Sequence, residues 1–318
     1  MTGARSTSAA HVTERPAARS AGAAASSDAH TVARIAVGVD EYPEGRDAAA
    51  LGAALARVTR AELMLATVQS PPLVPLPPDM DWKSLREGAQ VRLRDVRDSF
   101  APEARTVAET DLSVARALQR VVQDHHRDLL IVGSSRHARN GRVRIGKRTR
   151  QLLCNFECAL AVAPRGLHAR PHVDLRRIAV GYDGGPESTS ALTLAASIAS
   201  AAGAELHVCA VVDDRFPRIA VFSASIAGEW DDVIDQEVNR ARGWSIAAAK
   251  RTGTDAHVEV LRGRPADALL AVSERVDLLV IGSRRWGPAT RLLLGSTGEA
   301  VMHDAACAVL AVPRPPAQ

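Results

Sequence analysis

Aromatic residues are scarce in this sequence, since tryptophan, tyrosine and phenylalanine together make up 3% of its 318 residues. A core must therefore be built mainly from aliphatic side chains, and the hydrophobic fraction of 46% is enough for that. The formal net charge is only +4, and no basic face with interleaved aromatics appears, so no nucleic-acid partner is expected. No run approaches the roughly 18 apolar residues of a membrane-spanning helix, so no membrane partner is expected either.

Cysteine is also rare. The four cysteines form no Cys-x-x-Cys pair and have apolar neighbours: Cys154, Cys158, Cys209 and Cys307. This pattern favours buried thiols in a reducing cytoplasm over a disulfide framework or a metal site. Residues 1–31 are rich in alanine, serine and arginine and lack an apolar signal core, which predicts a disordered extension.

Recognisable catalytic motifs are missing. The ten histidines do not cluster with a serine or cysteine in a nucleophile motif, and no His-Glu-x-x-His or paired-carboxylate signature occurs. The sequence therefore predicts no catalytic and no metal-ligating residue, and it favours a binding protein over an enzyme.

An internal repeat is the most informative feature that is present. Three segments of the first half return in the second: Arg34–Asp40 as Arg177–Asp183, Asp128–Ser134 as Asp277–Ser283, and Cys158–Pro164 as Cys307–Pro313. The first pair is offset by 143 residues and the other two by 149, counted from Asp40 to Asp183 and from Cys158 to Cys307. One domain has therefore been duplicated. The predicted domains span 32–165 and 174–314, with a linker at 166–173.

Each copy alternates strands with helical stretches. The strands are continuous apolar runs without clean alternation, so helices should cover both faces of a parallel, doubly wound α/β sheet. Ligands of such Rossmann-like domains bind outside the carboxyl ends of the strands, where the strand order reverses. In the second copy these ends are marked by Asp183, Val211, Gly263 and Gly282.

The stretch 282–297 combines a strand end, a loop and a helix start. Gly295, Ser296 and Thr297 open the last predicted helix, where unpaired backbone N–H groups and hydroxyls make a plausible anion cradle. The alternative interpretation is a tight connection between a strand and a helix, without a ligand.

These motifs resemble the universal stress protein family in its tandem, two-domain form. Nucleotide-binding members carry a glycine, two residues, a glycine, nine residues, and then Gly-Ser or Gly-Thr. Here Gly282 is the first glycine and Gly295-Ser296 the last pair, but Arg285 replaces the middle glycine. The resemblance implies ATP, with Mg²⁺ as companion cation, and AMP or no nucleotide as alternatives. Arg284 and Arg285 either face the phosphates or are solvated.

The resemblance also implies roles for three strand-end residues. Asp183 would contact the ribose and the backbone of Val211 the adenine, while Gly263 would open the cleft. The structural alternatives are a helix cap at Asp183, ordinary core at Val211 and a plain turn at Gly263.

The first copy departs further from the pattern. Its middle glycine is Arg136, and lysine follows the last glycine. The corresponding residues predict a degenerate site: Asp40, Val68, Gly133, Gly146 and Lys147. Seven basic residues crowd 136–150, and either solvent screens them or an anion sits there.

The function expected from the sequence is a cytoplasmic, ATP-binding stress-response sensor or regulator that binds nucleotide mainly in the second domain. Binding is expected to order the loop 283–294. The alternatives are a nucleotide-independent scaffold for an unknown protein partner and, third, a slow ATP hydrolase. Because family dimers form through the edge that the last strand supplies, the two domains should pack as an intramolecular pseudo-dimer. A homodimer remains open.

Overall fold

The structure is a computed structural model. It describes residues 32–71, 82–153, 158–215, 224–283 and 294–313. The predicted extension 1–31, the site candidates Arg284 and Arg285, and most of the loop 283–294 lie outside these residues.

The first domain alternates five strands with four helices. The strands are β1 (Arg34–Gly38), β2 (Glu62–Gln69), β3 (Arg105–Thr110), β4 (Leu129–Gly133) and β5 (Ala159–Ala163). The helices are α1 (Pro43–Thr59), α2 (Trp82–Phe100), α3 (Val114–Asp124) and α4 (Lys147–Leu153). A short 3-10 turn, Leu167–Ala169, follows β5 in the linker.

The second domain repeats this order. Its strands are β6 (Arg177–Gly181), β7 (Glu205–Val212), β8 (Ala256–Arg262), β9 (Leu278–Gly282) and β10 (Ala308–Val312). Its helices are α5 (Pro186–Ala202), α6 (Ala224–Arg251), α7 (Pro265–Ser273) and α8 (Ser296–Asp304). Gly203 ends α5 in the left-handed conformation with φ 62°, as its glycine predicts.

All ten strands join one sheet in the order β3-β2-β1-β4-β5-β10-β9-β6-β7-β8. Pairing is parallel within each domain, and the strand order reverses between β1 and β4 and again between β6 and β9. The domains meet where β5 and β10 pair antiparallel, with Val162 opposite Val309. The predicted pseudo-dimer is confirmed, and the last strand of each copy supplies the junction.

Helices cover both sheet faces, as the continuous apolar strands predict. Successive strand residues point to opposite faces, so Ile35 and Val37 pack into one core cluster and Ala36 into the other. The first cluster lies under α1, α2, α5 and α6, and it includes Leu51 and Leu192. The second lies under the remaining helices. Aliphatic side chains supply almost all of both clusters.

Candidate functional site

A cavity of about 430 Å³ opens at the carboxyl edge of the first domain, where the strand order reverses. All five residues predicted for the degenerate first site line it: Asp40, Val68, Gly133, Gly146 and Lys147. Asp40 follows β1, Val68 lies near the end of β2, and Lys147 opens α4. The topology therefore brings together residues that are more than 100 positions apart.

The cavity combines an apolar floor with a cationic rim. Ala66, Leu118 and Val132 contribute apolar side chains, while Arg136 and Arg148 join Lys147 at the opening. A volume of this size is within the range of small-molecule sites. The arrangement fits an amphiphilic anion whose flat or apolar part enters first.

The structure adds lining residues that sequence reasoning missed. Ser135 follows β4, and Tyr42 precedes α1 with the Arg136 guanidinium 6.0 Å from its ring centroid. The sequence could have identified both as lining residues from their positions close to Gly133 and Asp40, because residues that follow strand ends reach the same edge of the sheet.

Glu44 and Asp40 are the carboxylates among the lining residues of this cavity, and Asp40 is the one predicted from the sequence. Its Oδ1 accepts a hydrogen bond from the backbone N–H of Tyr42 at 3.1 Å. Asp40 is exposed, but protein atoms around it displace part of its hydration, and this desolvation raises the pKa of Asp40 above its ordinary value of 3.8. The Tyr42 hydrogen bond opposes the shift and the charge of Glu44 adds to it.

The first glycine of each copy has a packing reason. A Cβ built on Gly133 would lie 2.1 Å from the carbonyl oxygen of Glu44, and one on Gly282 would lie 2.8 Å from that of Glu187. These glycines let the strand end approach the first turn of α1 or α5. By contrast, a Cβ on Gly146 would meet Ser135 at an ordinary 3.6 Å.

In the second domain, Asp183 organises the turn before α5. Its Oδ1 accepts the N–H of Gly185 at 2.9 Å and the hydroxyl of Ser188 at 2.6 Å. Asp183 therefore orders the turn but is not the helix cap of the structural alternative, because the N-cap of α5 is Gly185 and no side-chain cap bond is formed there. These contacts use one carboxylate oxygen, and Oδ2 makes no hydrogen bond to the described residues.

The other second-domain candidates lie at the same carboxyl edge. Val211 is half-buried near the end of β7, and the N–H of Gly263 donates to the Val212 carbonyl at 3.0 Å. Gly263 has φ 119°, which only glycine adopts easily, and open space surrounds its Cβ direction. Gly295 precedes α8, whose first residues are Ser296 and Thr297.

Ser283 differs from its counterpart in the first domain. The Ser134 hydroxyl donates to the Ala163 carbonyl at 2.7 Å and accepts the Arg144 N–H at 3.2 Å. The Ser283 hydroxyl is buried and finds no hydrogen-bond partner within the part of the chain that is described.

A family model described as "Universal stress protein family" matches residues 31–164 and 174–313. The chain belongs to the universal stress protein family. Universal stress protein Rv2005c of Mycobacterium tuberculosis is 26% identical over 287 residues, covering 87% of this chain and 95% of that protein. One from Methanocaldococcus jannaschii is 31% identical over 146 residues, covering 44% of this chain and 83% of its own length.

A solved universal stress protein from Archaeoglobus fulgidus has the same tandem fold. It superposes with a TM-score of 0.62 at 19% identity, covering 90% of this chain and 99% of that one. At this identity the likeness concerns the fold alone. The family and the tandem arrangement inferred from the repeat are thus both confirmed.

Two arginines of the basic loop of this family member contact the second domain. Arg139 pairs with Asp304 at 2.9 Å, while Arg142 pairs with Glu274 at 2.5 Å and donates to the carbonyl oxygen of Asp304 at 3.0 Å. That carbonyl lies at the C-terminus of α8, where a cation is favourable. The sequence predicts that solvent screening or a bound anion balances the charge of this loop. For Arg139 and Arg142, acidic groups of the second domain balance the charge instead.

The cysteines follow the predicted pattern in part. Cys209 and Cys307 are buried, and burial raises the pKa of each thiol to about 12. Cys158 is half-buried, and Cys154 lies outside the described residues. In the described ranges, no group of three or more histidine, cysteine, aspartate or glutamate side chains could hold a metal ion. No helix described in the structure is long and apolar enough to cross a membrane.

Proposed function

We propose that this universal stress protein is a stress-response regulator that binds an adenine nucleotide, in the first instance ATP, at the carboxyl edge of its sheet. The observation that supports this most is the 430 Å³ cavity at the reversal between β1 and β4. Since the second domain repeats the strand order, its edge between β6 and β9 is the equivalent position.

The second domain is the principal site in this proposal. It keeps Gly295-Ser296, and no side chain of the described residues caps the start of α8, where the N–H groups of a first helical turn favour phosphate. Open space beside Gly263 would add room, and the Ser283 hydroxyl, which has no partner among the described residues, would add a donor. Asp183 Oδ2 would accept a hydrogen bond from a ribose hydroxyl, while Oδ1 keeps its hydrogen bonds to Gly185 and Ser188 within the turn. The phosphates of the nucleotide would coordinate any Mg²⁺, because the described residues form no cluster of metal ligands.

A second nucleotide in the first domain is the other candidate, and the formed cavity specifically favours it. Lys147 and Arg148 replace the uncharged donors of the second copy, so phosphate binding there would depend on side-chain charge. Occupancy of both sites would give two nucleotides per chain.

Binding at the second site has a structural route to the first domain. Helix α8 starts at the proposed phosphate position and ends against the first-domain loop, where the Ile145 N–H donates to the Met302 carbonyl at 3.0 Å. A ligand that shifts α8 would change that contact. We expect slower hydrogen exchange at the amides of Val143 and Ile145 when ATP is bound.

Calorimetric titration of ATP with Mg²⁺ tests the proposal on the intact chain and on two matched variants. Gly295→Arg blocks the second site at a backbone with φ −81°, which any residue adopts. Gly146→Arg fills the first site, where a Cβ meets only ordinary contacts. One site per chain, lost in Gly295→Arg and kept in Gly146→Arg, is the expected result; the reverse pattern would move the nucleotide to the first domain.

The same samples separate the alternatives. AMP and ATP without Mg²⁺ define which nucleotide is preferred. Absence of heat and of thermal stabilisation with every nucleotide favours the scaffold that binds only a protein partner. Steady phosphate release that disappears in Asp183→Ala favours the slow hydrolase. We also propose a cytoplasmic location, which the buried, protonated thiols of Cys209 and Cys307 support.

A further inference from the structure

The carboxylate of Asp183 is fixed by two hydrogen bonds that use the same oxygen. Its Oδ1 accepts the N–H of Gly185 at 2.9 Å and the hydroxyl of Ser188 at 2.6 Å. The Ser188 oxygen in turn accepts the backbone N–H of Asp183 at 3.3 Å. Because Asp183 is exposed and Oδ1 is engaged in the turn, Oδ2 is the oxygen that remains for a ligand.

Ser188 is itself held in place, so its bond to Asp183 belongs to the folded framework. The residue is 5% exposed and lies in the first turn of α5. This turn packs directly on the end of β9, because a Cβ built on Gly282 would lie 2.8 Å from the Glu187 carbonyl oxygen and 3.0 Å from the Ser188 backbone nitrogen. The absence of a side chain at Gly282 therefore lets α5 bring the serine hydroxyl to Asp183.

The first domain has no equivalent of this serine. Gly45 occupies its position, since the repeat offset there is 143 residues. A Cβ on Gly45 would lie 2.7 Å from the backbone nitrogen of Asp40 and 2.9 Å from its Oδ1, so a serine side chain would clash there. Asp40 Oδ1 instead accepts the Tyr42 N–H at 3.1 Å, and no hydroxyl of the described residues fixes this carboxylate. The two aspartates occupy equivalent positions but differ in how firmly their carboxylates are held.

We propose that Ser188 is a positioning residue that lets the second domain select ribonucleotides over deoxyribonucleotides. This inference rests on the proposed function, in which Asp183 Oδ2 accepts a hydrogen bond from a ribose hydroxyl. A carboxylate that is fixed before binding loses less conformational freedom when it accepts that bond. A hydrogen bond to a charged group also contributes more than one between neutral groups. A nucleotide that lacks the hydroxyl should therefore bind the second domain more weakly, and the less firmly held Asp40 should give the first domain a smaller preference.

Calorimetric titration of ATP, 2′-deoxy-ATP and 3′-deoxy-ATP into the full chain tests this proposal. The parent should bind ATP roughly tenfold more tightly than at least one of the two deoxy compounds, because that compound cannot donate to Asp183. Ser188→Ala should reduce this preference roughly threefold or more, by weakening the binding of ATP and leaving that of the deoxy compound little changed. Ser190→Ala is the matched control, because the Ser190 hydroxyl bonds only to the Pro186 carbonyl at 3.2 Å, and it should keep the preference of the parent. Ser188→Cys, which keeps a side chain of similar size with a weak donor, provides a second variant if Ser188→Ala does not fold.

Three results would overturn the proposal. Equal affinities of the parent for the three nucleotides would mean that no ribose hydroxyl contributes to binding. An unchanged preference in Ser188→Ala, whatever its overall affinity, would make the serine a structural residue of the turn. A preference that survives in Gly295→Arg would assign the selection to the first domain. Absence of ATP binding in the parent would instead contradict the proposed function, and this inference with it, so the two failures are distinguishable.

Discussion

Asp47 Oδ1 of α1 lies 2.5 Å from Nδ1 of His168 in the linker. The carboxylate is fully buried, and it also accepts the backbone N–H groups of Gly166 at 2.9 Å and of His168 at 2.8 Å. One aspartate thus anchors the turn that leads from the first domain to the second. The equivalent position in the second copy is Ser190, since the repeat offset there is 143 residues.

Replacement of Asp47 should loosen the linker. Asp47→Ala leaves two part-buried backbone N–H groups and one imidazole without their acceptor, which should cost about 2–4 kcal/mol of unfolding free energy. His168→Ala should cost less, because both backbone bonds remain. Urea unfolding of the full chain measures both values.

Ser190→Ala is the matched control for Asp47→Ala. The Ser190 hydroxyl donates only to the Pro186 carbonyl within its own helix, at 3.2 Å. Its loss should change the unfolding free energy by less than about 1 kcal/mol. A cost for Asp47→Ala no larger than that of the control would show that the linker anchor adds little stability.

The two arginines at the domain contact, Arg142 and Arg139, should differ in how much each contributes to the free energy of unfolding. The Arg142 side chain is 26% exposed and makes two contacts, whereas that of Arg139 is 73% exposed and pairs with one aspartate. Arg142→Gln should therefore cost about 1–2 kcal/mol, and Arg139→Gln less than about 1 kcal/mol because water screens the pair. Urea unfolding at low and high salt checks this, and equal costs would contradict the role assigned to burial.

The repeat and the apolar strands were sufficient to predict the fold. Each copy shows the same strand-end residues, so Asp40 and Gly133 were expected at one edge, and they line one cavity. The junction of β5 and β10 was predictable only through the family resemblance. The local sequence of Ala308–Val312 does not indicate that this strand pairs with β5.

Contacts between distant segments were beyond the sequence. The link from Asp47 to His168 joins residues 121 positions apart, and that from Arg142 to Asp304 joins residues 162 apart. Charge patterning showed that the loop is basic but not which arginines find an acid.

The raised pKa of Asp40 predicts a pH-dependent gain from removing its charge, and the gain should be small because the residue is exposed and solvent screens its charge. A raised pKa means that the folded state tolerates the protonated acid better, so stability is lost as pH rises from 3.8 through the raised pKa. Asp40→Asn keeps an oxygen for the Tyr42 N–H and should be more stable than the parent at pH 7. Urea unfolding should show this advantage disappearing at pH 3. A variant that is equally destabilised at both pH values would contradict it.

Alanine substitution at three glycines separates packing from ligand access. Gly133→Ala forces a Cβ against the Glu44 carbonyl and should cost about 3 kcal/mol or more, and Gly282→Ala, with a looser clash, about 1–3 kcal/mol. Gly146→Ala meets only ordinary contacts and should remain within about 1 kcal/mol of the parent. Urea unfolding gives the three costs. If Gly146→Ala were as damaging as Gly133→Ala, the last glycine of the pattern would also serve packing, and its use as a probe of the first site would fail.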